Sequence, residues 1–223
     1  MSTLYVVATP IGNLDDITMR ALSVLKSVNV VAAETPSIAR KLLSAYGISG
    51  KKIITVREAN RDGALQKLRA LLNEGVSVAL VSDAGTPGIS DPGAGIVDQL
   101  LSEGYDVVPV PGPSAITAML SVFPLREPWV FLGFLPKRKG RRRKILEKFL
   151  DIGVSILFYE TPYKIMETLA IIEEVAPGVQ MCLGREITKR YEEFLVGTAG
   201  DVRKVLSDRK DIKGEIVCAL RVE

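Results

Sequence analysis

The sequence predicts an α/β protein built from two domains, and three observations carry that prediction. From residue 4 to about residue 110, short β-rich runs alternate with stretches of helical period, the rhythm of βα units around a mostly parallel sheet. Glycine- and proline-rich loops recur behind those runs, at the strand ends where open α/β sheets place their ligands. After Pro111-Gly-Pro-Ser114 and a short apolar helix, the rhythm changes to strands that include a hairpin, 179–184 with 192–197. The expected division is therefore a first domain over 1–115, with a mostly parallel sheet, and a second over 116–223, with a mixed sheet.

The elements follow in order. Strands are expected at 4–8, 28–32, 52–56, 76–81 and 106–110. Ile17, Ala21, Val24, Leu25 and Val28 repeat at helical spacing behind Asp15 and Asp16, which suit a cap and the helix dipole. Ile38, Leu42, Leu43 and Tyr46 repeat the pattern up to Gly47, a natural terminator. So do Leu65, Leu68, Leu71 and Leu72 before Gly75, and Ile96, Val97, Leu100 and Leu101 before Gly104. These four stripes read as core faces. In the second domain, helices are expected over 141–150, over 162–175 with Thr161 as cap and Pro162 in the first position, and over 199–206 behind Thr198. A strand over 215–222 closes the sheet.

Composition narrows the chemistry. The chain has 223 residues, 47% hydrophobic, enough for a core in each domain. It has no histidine, which removes the commonest general base, the commonest zinc ligand and every Ser-His or Cys-His nucleophile pair. Cys182 and Cys218 lie in apolar strand-like runs and read as buried small hydrophobes. No basic-then-apolar leader opens the sequence and no uncharged apolar run approaches the roughly 18 residues that cross a bilayer, so a cytoplasmic protein without a membrane partner is expected. The formal charge is +3; without Lys137, Arg138, Lys139, Arg141, Arg142, Arg143 and Lys144 the remainder stands at −4. The basicity is local.

Three loops follow predicted strands, Thr9-Pro-Ile-Gly-Asn-Leu14, the long one from Ser82 to Gly93, and Pro111-Gly-Pro-Ser114. Glycine and proline there permit tight turns and close approach of a ligand to bare backbone. None is a dinucleotide fingerprint or a phosphate-binding Walker loop, which favours a nucleoside ligand other than ATP or NAD.

Those same residues carry a resemblance. Tyr5-Val-Val-Ala-Thr-Pro-Ile-Gly-Asn-Leu-Asp-Asp-Ile-Thr18, the Val81-to-Gly93 loop and Val108-Pro-Val-Pro-Gly-Pro-Ser-Ala115 are similar to successive signatures of the 16S ribosomal RNA ribose 2'-O-methyltransferase family. The likeness continues in Phe131-Leu-Gly-Phe-Leu-Pro136, Gly140-Arg-Arg142, Leu157-Phe-Tyr-Glu-Thr-Pro162, Gly184-Arg-Glu-Ile-Thr-Lys189 and Lys213-Gly-Glu-Ile-Val217. It implies a tetrapyrrole-methylase-like fold, two α/β domains with S-adenosylmethionine (SAM) in the cleft between them, in a homodimer. The implied target is a cytidine ribose of 16S ribosomal RNA, free or in the small ribosomal subunit.

By position, the resemblance carries cofactor contacts onto Pro10, Asp83, Ala84, Gly85, Thr86, Ile89, Ser114 and Ala115, and in the second domain onto Tyr159, Leu183, Gly214 and Glu215. One departure stands out: after Ala32-Ala33-Glu34 the family reads Asp-Thr-Arg, whereas this chain has Thr35-Pro36-Ser37, with Arg40 offering a basic side chain one turn later.

Methyl transfer to a ribose hydroxyl is an in-line displacement that requires alignment and a group to take the hydroxyl proton, and it requires no metal. With histidine absent, the candidates are Glu34, Glu186 and Lys189, the lysine through a pKa lowered by desolvation. The basic run supplies candidate RNA contacts at Lys137, Arg138, Arg141, Arg142, Arg143 and Lys144, because cations near a helix N-terminus oppose the dipole and need another benefit such as phosphate neutralisation. Two other readings stay open: a SAM-dependent enzyme acting on a tetrapyrrole, and a non-catalytic RNA-binding homologue, the latter motivated by Thr35-Pro36-Ser37.

Overall fold

The computed structural model describes residues 2–222, which divide between Ser114 and Ala115 into two compact units, each with its own five-stranded sheet. The first contains β1 (Thr3–Val7), α1 (Met19–Ser27), β2 (Val30–Ala33), α2 (Pro36–Ala45), β3 (Lys52–Thr55), α3 (Arg61–Asn73), β4 (Val78–Val81), α4 (Gly93–Ser102) and β5 (Asp106–Val110). The strands run parallel in the order β3-β2-β4-β1-β5. Every residue of β2 and β4 is buried, the two-sided burial that a covered parallel sheet demands. On one face Val7, Val31, Ala33, Ala79 and Val81 meet α1 and α2; on the other Leu4, Ala32, Ile54 and Leu80 meet α3 and α4.

That division of helices fixes where a ligand can sit. Chains leaving β1 and β2 turn to one face, while the chain leaving β4, between them in the sheet, turns to the other. A crevice opens at such a reversal, outside the carboxyl ends of the strands.

Several local expectations need correction. Asp15 and Asp16 do not cap α1; they form a short 3-10 turn, Leu14–Asp16, and the cap is Thr18, whose Oγ1 accepts the Ala21 N–H at 3.1 Å. β2 begins at Val30 because Val28 still closes α1, its N–H bonded to the Val24 carbonyl. Ile38 and Leu101 are exposed, and α2 packs instead through Ala39 and Leu43. Leu42 is half-buried and belongs to neither core, and the remaining stripe positions lie in or against one.

The second unit holds α5 (Ala115–Val122), β6 (Trp129–Phe134), α6 (Lys139–Asp151), β7 (Ser155–Glu160), α7 (Ile165–Val175), β8 (Gln180–Arg185), β9 (Glu193–Thr198), α8 (Ala199–Ser207) and β10 (Ile216–Arg221). The strand order is β6-β7-β10-β8-β9, with β6 and β7 parallel and the other pairs antiparallel. Ile156, Phe158, Leu183, Cys218 and Leu220 form the face that packs with the helices carrying Leu146, Leu169 and Val202. Thr198 caps α8 in a reciprocal pair, its Oγ1 accepting the Asp201 N–H while Asp201 accepts the Thr198 N–H.

Two irregularities shape the carboxyl end of β6 and β7. The pairing Phe131↔Leu157 is followed by Phe134↔Tyr159, so β6 carries one extra residue, with Gly133 at φ 61°. The bulge sets Phe134 on the same side as Phe131, and both rings meet Tyr159. Thr161 and Pro162 do not start α7, which begins at Ile165. The buried Glu160 carboxylate takes the Thr161 N–H at 2.8 Å, and the Thr161 carbonyl accepts from Lys164 and Ile165 in a turn. Among the described residues no helix is long and apolar enough to cross a membrane.

Candidate functional site

Four loops at the carboxyl edge of the first sheet are tied together by hydrogen bonds. The order β2-β4-β1-β5 makes them neighbours. Thr9 and Gly85 exchange both backbone bonds, at 2.9 and 3.0 Å, which locks the loop after β1 to the loop after β4. Thr86 Oγ1 donates to the Pro113 carbonyl at 3.2 Å and so joins the loop after β5. The N–H and hydroxyl of Thr35 donate to the two oxygens of Asp83, at 3.0 and 2.7 Å, and bring in the segment after β2. Glycine is needed here: Gly85 has φ 77°, and a Cβ on Gly112 would stand 3.0 Å from that of Ala8.

Asp91 shapes the remainder of the long loop. Its Oδ1 accepts the N–H groups of Gly88 and Gly93, at 2.9 and 2.8 Å, and holds the turn in which Ser90 adopts φ 62°. Beside it a shallow recess is lined by Glu34, Val56, Ser82, Pro87, Asp91 and Pro92. Burial pushes the Glu34 carboxyl above the usual carboxylate range, repulsion from Asp83 and Asp91 pushes it further, and Arg57 pulls it back. Arg57 Nε also donates to the Glu34 carbonyl at 3.2 Å. The basic neighbour of Glu34 is thus Arg57, while Arg40 is exposed on α2.

Three carboxylates against one guanidinium make this edge hospitable to a cation and hostile to a phosphate. The cofactor candidates Asp83, Ala84, Gly85, Thr86 and Ile89 fall in this loop and Ser114 in its neighbour; Pro10 is buried next to Thr9, and Ala115 opens the second unit as the first residue of α5. A cationic nucleoside fits such a set, because bare backbone and small side chains give close approach and the acids supply the opposite charge.

The second unit has its own polar cluster, where β8 ends against the start of β10. Glu186, at φ 52°, donates its N–H to the Glu215 carbonyl and accepts the Glu215 N–H on Oε1, both at 2.9 Å. Lys189 Nζ bridges Glu186 Oε1 at 2.9 Å and Glu215 Oε2 at 3.0 Å. Gly214, at φ 98°, must be glycine, since a Cβ would overlap Glu186 Cγ. Nearby Arg185 pairs with Glu193 at 3.2 Å and donates to the Lys213 carbonyl at 3.1 Å, and Arg209 completes a second pair with Glu193.

These bonds correct one expectation. Burial alone would lower the Lys189 pKa, but hydrogen bonds to Glu186 and Glu215 outweigh it and leave it above the usual lysine value. Lys189 is therefore not the lysine of lowered pKa that desolvation alone would make. Burial likewise raises Glu186, yet the Glu215 N–H and Lys189 hold it below the usual range, which makes it a weak proton acceptor. Of the three candidates only Glu34 has the environment of a base, and it belongs to the first unit while the other two belong to the second.

Of the second unit's cofactor candidates, Tyr159 is half-buried, edge-on to Phe131 at 5.0 Å, with its hydroxyl pushed up to about 12 by burial and by Glu215. Gly214 and Glu215 lie in the polar cluster. Leu183 requires correction: it is fully buried and its side chain faces the helices, leaving no surface for a ligand.

The basic run is also reassigned in part. Lys137, Arg138, Arg141 and Lys144 are exposed, and Arg143 pairs with Glu147 and Glu174. Arg142, in contrast, is fully buried and cannot touch RNA. Its guanidinium donates to the carbonyls of Pro136 and Lys137, to Glu167 at 3.0 Å and to Thr168 Oγ1 at 2.9 Å. Thr168 in turn donates to the buried Glu160 at 2.6 Å. Charge spacing alone did not reveal this, because helical position decides which arginine of three turns inward. Asp91 and Arg57 were also missed, although two glycines flanking Asp91 are a signal of a carboxylate bridging a turn.

A model of the family described as Tetrapyrrole (Corrin/Porphyrin) Methylases matches residues 3–203. The chain is similar to the protein of Neisseria meningitidis serogroup B named ribosomal RNA small subunit methyltransferase I, with 46% identity over 98% of this chain and 75% of that one. It is 44% identical to the protein of the same name from Coprothermobacter proteolyticus, over 96% of this chain and 95% of that one. Among solved structures the methyltransferase CobJ superposes with a TM-score of 0.71 at 20% identity, over 100% of this chain and 95% of that one, which speaks to the fold.

Two outcomes follow from this geometry. Arg142→Met takes the donor away from the Pro136 and Lys137 carbonyls, from Glu167 and from Thr168 Oγ1, and is expected to cost about 3 kcal/mol in denaturant unfolding, while Arg141→Met should change stability by less than about 0.5 kcal/mol. The second concerns acid. Arg209 first, and then Arg185, hold the Glu193 carboxyl below its usual range against burial. Its contribution is present above the usual glutamate value and lost as pH falls through the lowered one. Glu193→Gln should therefore be less stable near neutral pH and show a shallower loss of stability from about pH 5 to about pH 3 in pH-dependent melts.

Proposed function

The chain belongs to the tetrapyrrole methylase family, in its ribosomal RNA small subunit methyltransferase I branch, and we propose that it transfers a methyl group from SAM to the 2'-hydroxyl of a cytidine ribose in 16S ribosomal RNA. The observation that carries this reading beyond family membership is the hydrogen-bonded array of loops at one acidic sheet edge, with Glu34 lining the recess.

When bound, SAM supplies an activated methyl group on a positively charged sulfur. Backbone and small side chains of Asp83, Ala84, Gly85, Thr86, Ile89 and Ser114 would hold it on the first unit, together with Pro10; on the second unit the candidates are Ala115, Tyr159, Gly214 and Glu215. The carboxylates of Glu34, Asp83 and Asp91 favour its positive charge. Thr35 keeps Asp83 oriented through two hydrogen bonds, so the change from the family's Asp-Thr-Arg leaves the loop array intact.

Glu34 accepts the proton of the ribose hydroxyl. Its raised pKa makes it a stronger base than an ordinary carboxylate, and general bases of this kind contribute about 10²- to 10⁴-fold. Lys137, Arg138, Arg141 and Lys144 neutralise RNA phosphates, with Arg142 placing the loop that presents them. The protein works in the cytoplasm, as a homodimer, on 16S RNA or the small ribosomal subunit.

Purified protein, labelled SAM and small subunits lacking ribose methylation test the reading directly. Label on a single cytidine 2'-oxygen is expected; label on a base atom, or none despite SAM binding, contradicts it. Glu34→Gln should lower turnover by about 10²-fold or more with RNA affinity retained. The acid limb of the wild-type rate profile should lie above the usual carboxylate range, since the base is lost as pH falls through a raised pKa.

A further inference from the structure

Exposed aromatic rings and exposed cations occupy the neighbouring ends of β6 and β7 and the loops that follow them. The two strands are parallel neighbours, so the loops that follow them emerge side by side. The first leaves β6 at Phe134, 55% exposed, and carries the cations Lys137 and Arg138, with Arg141 in the first turn of α6. The second carries Tyr163, 96% exposed, more than Met19 at 80% or any other large apolar side chain described as exposed.

The loops are not free to wander. Arg142 holds the carbonyls of Pro136 and Lys137 in the first, and through Thr168 it reaches Glu160, whose other oxygen takes the Thr161 N–H at the start of the second. A tyrosine presented on so fixed a turn loses little entropy when something covers it, and a tyrosine ring offers a flat face with few torsions.

We propose that Tyr163 stacks on an unpaired base of the RNA substrate while Lys137, Arg138 and Arg141 engage the flanking phosphates. The inference rests on the reading of the chain as an RNA methyltransferase and names the form of RNA it grips. Single strands expose base faces to aromatic rings, whereas an A-form duplex hides them and leaves only its backbone and shallow groove. The surrounding charge favours a polyanion over a second copy of this chain, because a two-fold contact here would set like cations against each other.

The test compares wild-type protein with Tyr163→Ala, Tyr163→Phe and the double variant Lys137→Gln/Arg138→Gln. Binding to a short unstructured oligoribonucleotide and to its duplex is followed by fluorescence anisotropy over a range of salt. Tyr163→Ala should weaken single-strand binding roughly tenfold, leave the duplex unaffected and leave the salt slope unchanged. Tyr163→Phe, which keeps the ring, should bind like wild type. The double variant should flatten the log–log salt slope by about 0.7 for each phosphate that is no longer neutralised.

Because Tyr163 is exposed, its variants should melt like wild type, and the melt verifies that the comparison is fair. Equal single-strand affinity in Tyr163→Ala overturns the proposal, as does an equal loss on duplex, or a change of oligomeric state in sedimentation with RNA affinity intact. If wild-type protein methylates small subunits but ignores the change at Tyr163, only the stacking role fails. If wild type neither binds nor methylates RNA, the functional reading fails with it.

Discussion

The reciprocal backbone bond between Thr9 and Gly85 is the constraint on which the first unit's site depends. A parallel sheet ends in strand termini whose N–H and C=O groups still need partners, and both of these residues are buried, away from water. Pairing each with the other satisfies them and brings the loop after β1 against the loop after β4. The left-handed turn at Gly85, the Thr86 bond to Pro113 and the Thr35 bonds to Asp83 then have fixed places from which to act. Side chains such as Glu34 and Asp91 inherit their positions from this backbone array, and burial, followed by the nearness of Asp83 and Asp91, raises the pKa of Glu34.

The second unit solves a similar problem with buried charge. Removing a guanidinium from water is costly unless its hydrogen bonds are met inside, and Arg142 finds two backbone carbonyls, a hydroxyl and a carboxylate. The result is a fixed junction between two strand ends, not a binding surface. Its neighbours Arg141 and Lys144 stay in solvent, so one short basic run divides between architecture and exposed positive charge.

The sheet framework was legible because its cause is local. Fully apolar runs such as Val78–Val81 have only one use in an alternating βα chain, and the glycine-rich loops after β1, β4 and β5 stand where the strand pattern put them. The misreadings turn on which partner a group takes or which face it occupies, and residue type alone does not decide either. Thr161 looked like a cap until the Glu160 carboxylate claimed its N–H; Lys189 looked like a desolvated base until Glu186 and Glu215 proved to bracket it. Leu183 carries no mark in the sequence of which face of β8 it occupies, since a strand buried on both faces lacks alternation. In the sequence Tyr163 is one ordinary loop aromatic; its exposure and its fixed turn give it meaning.

The central claim is that the tied loops of the first unit form the seat of the cofactor. Amide hydrogen exchange, measured on the full chain with and without SAM, tests it most directly. Added protection is predicted in segments covering residues 83–93 and 111–114, with the amides of Thr9 and Gly85 already slow before SAM is added. Protection that bypasses both segments while SAM is bound would contradict the account.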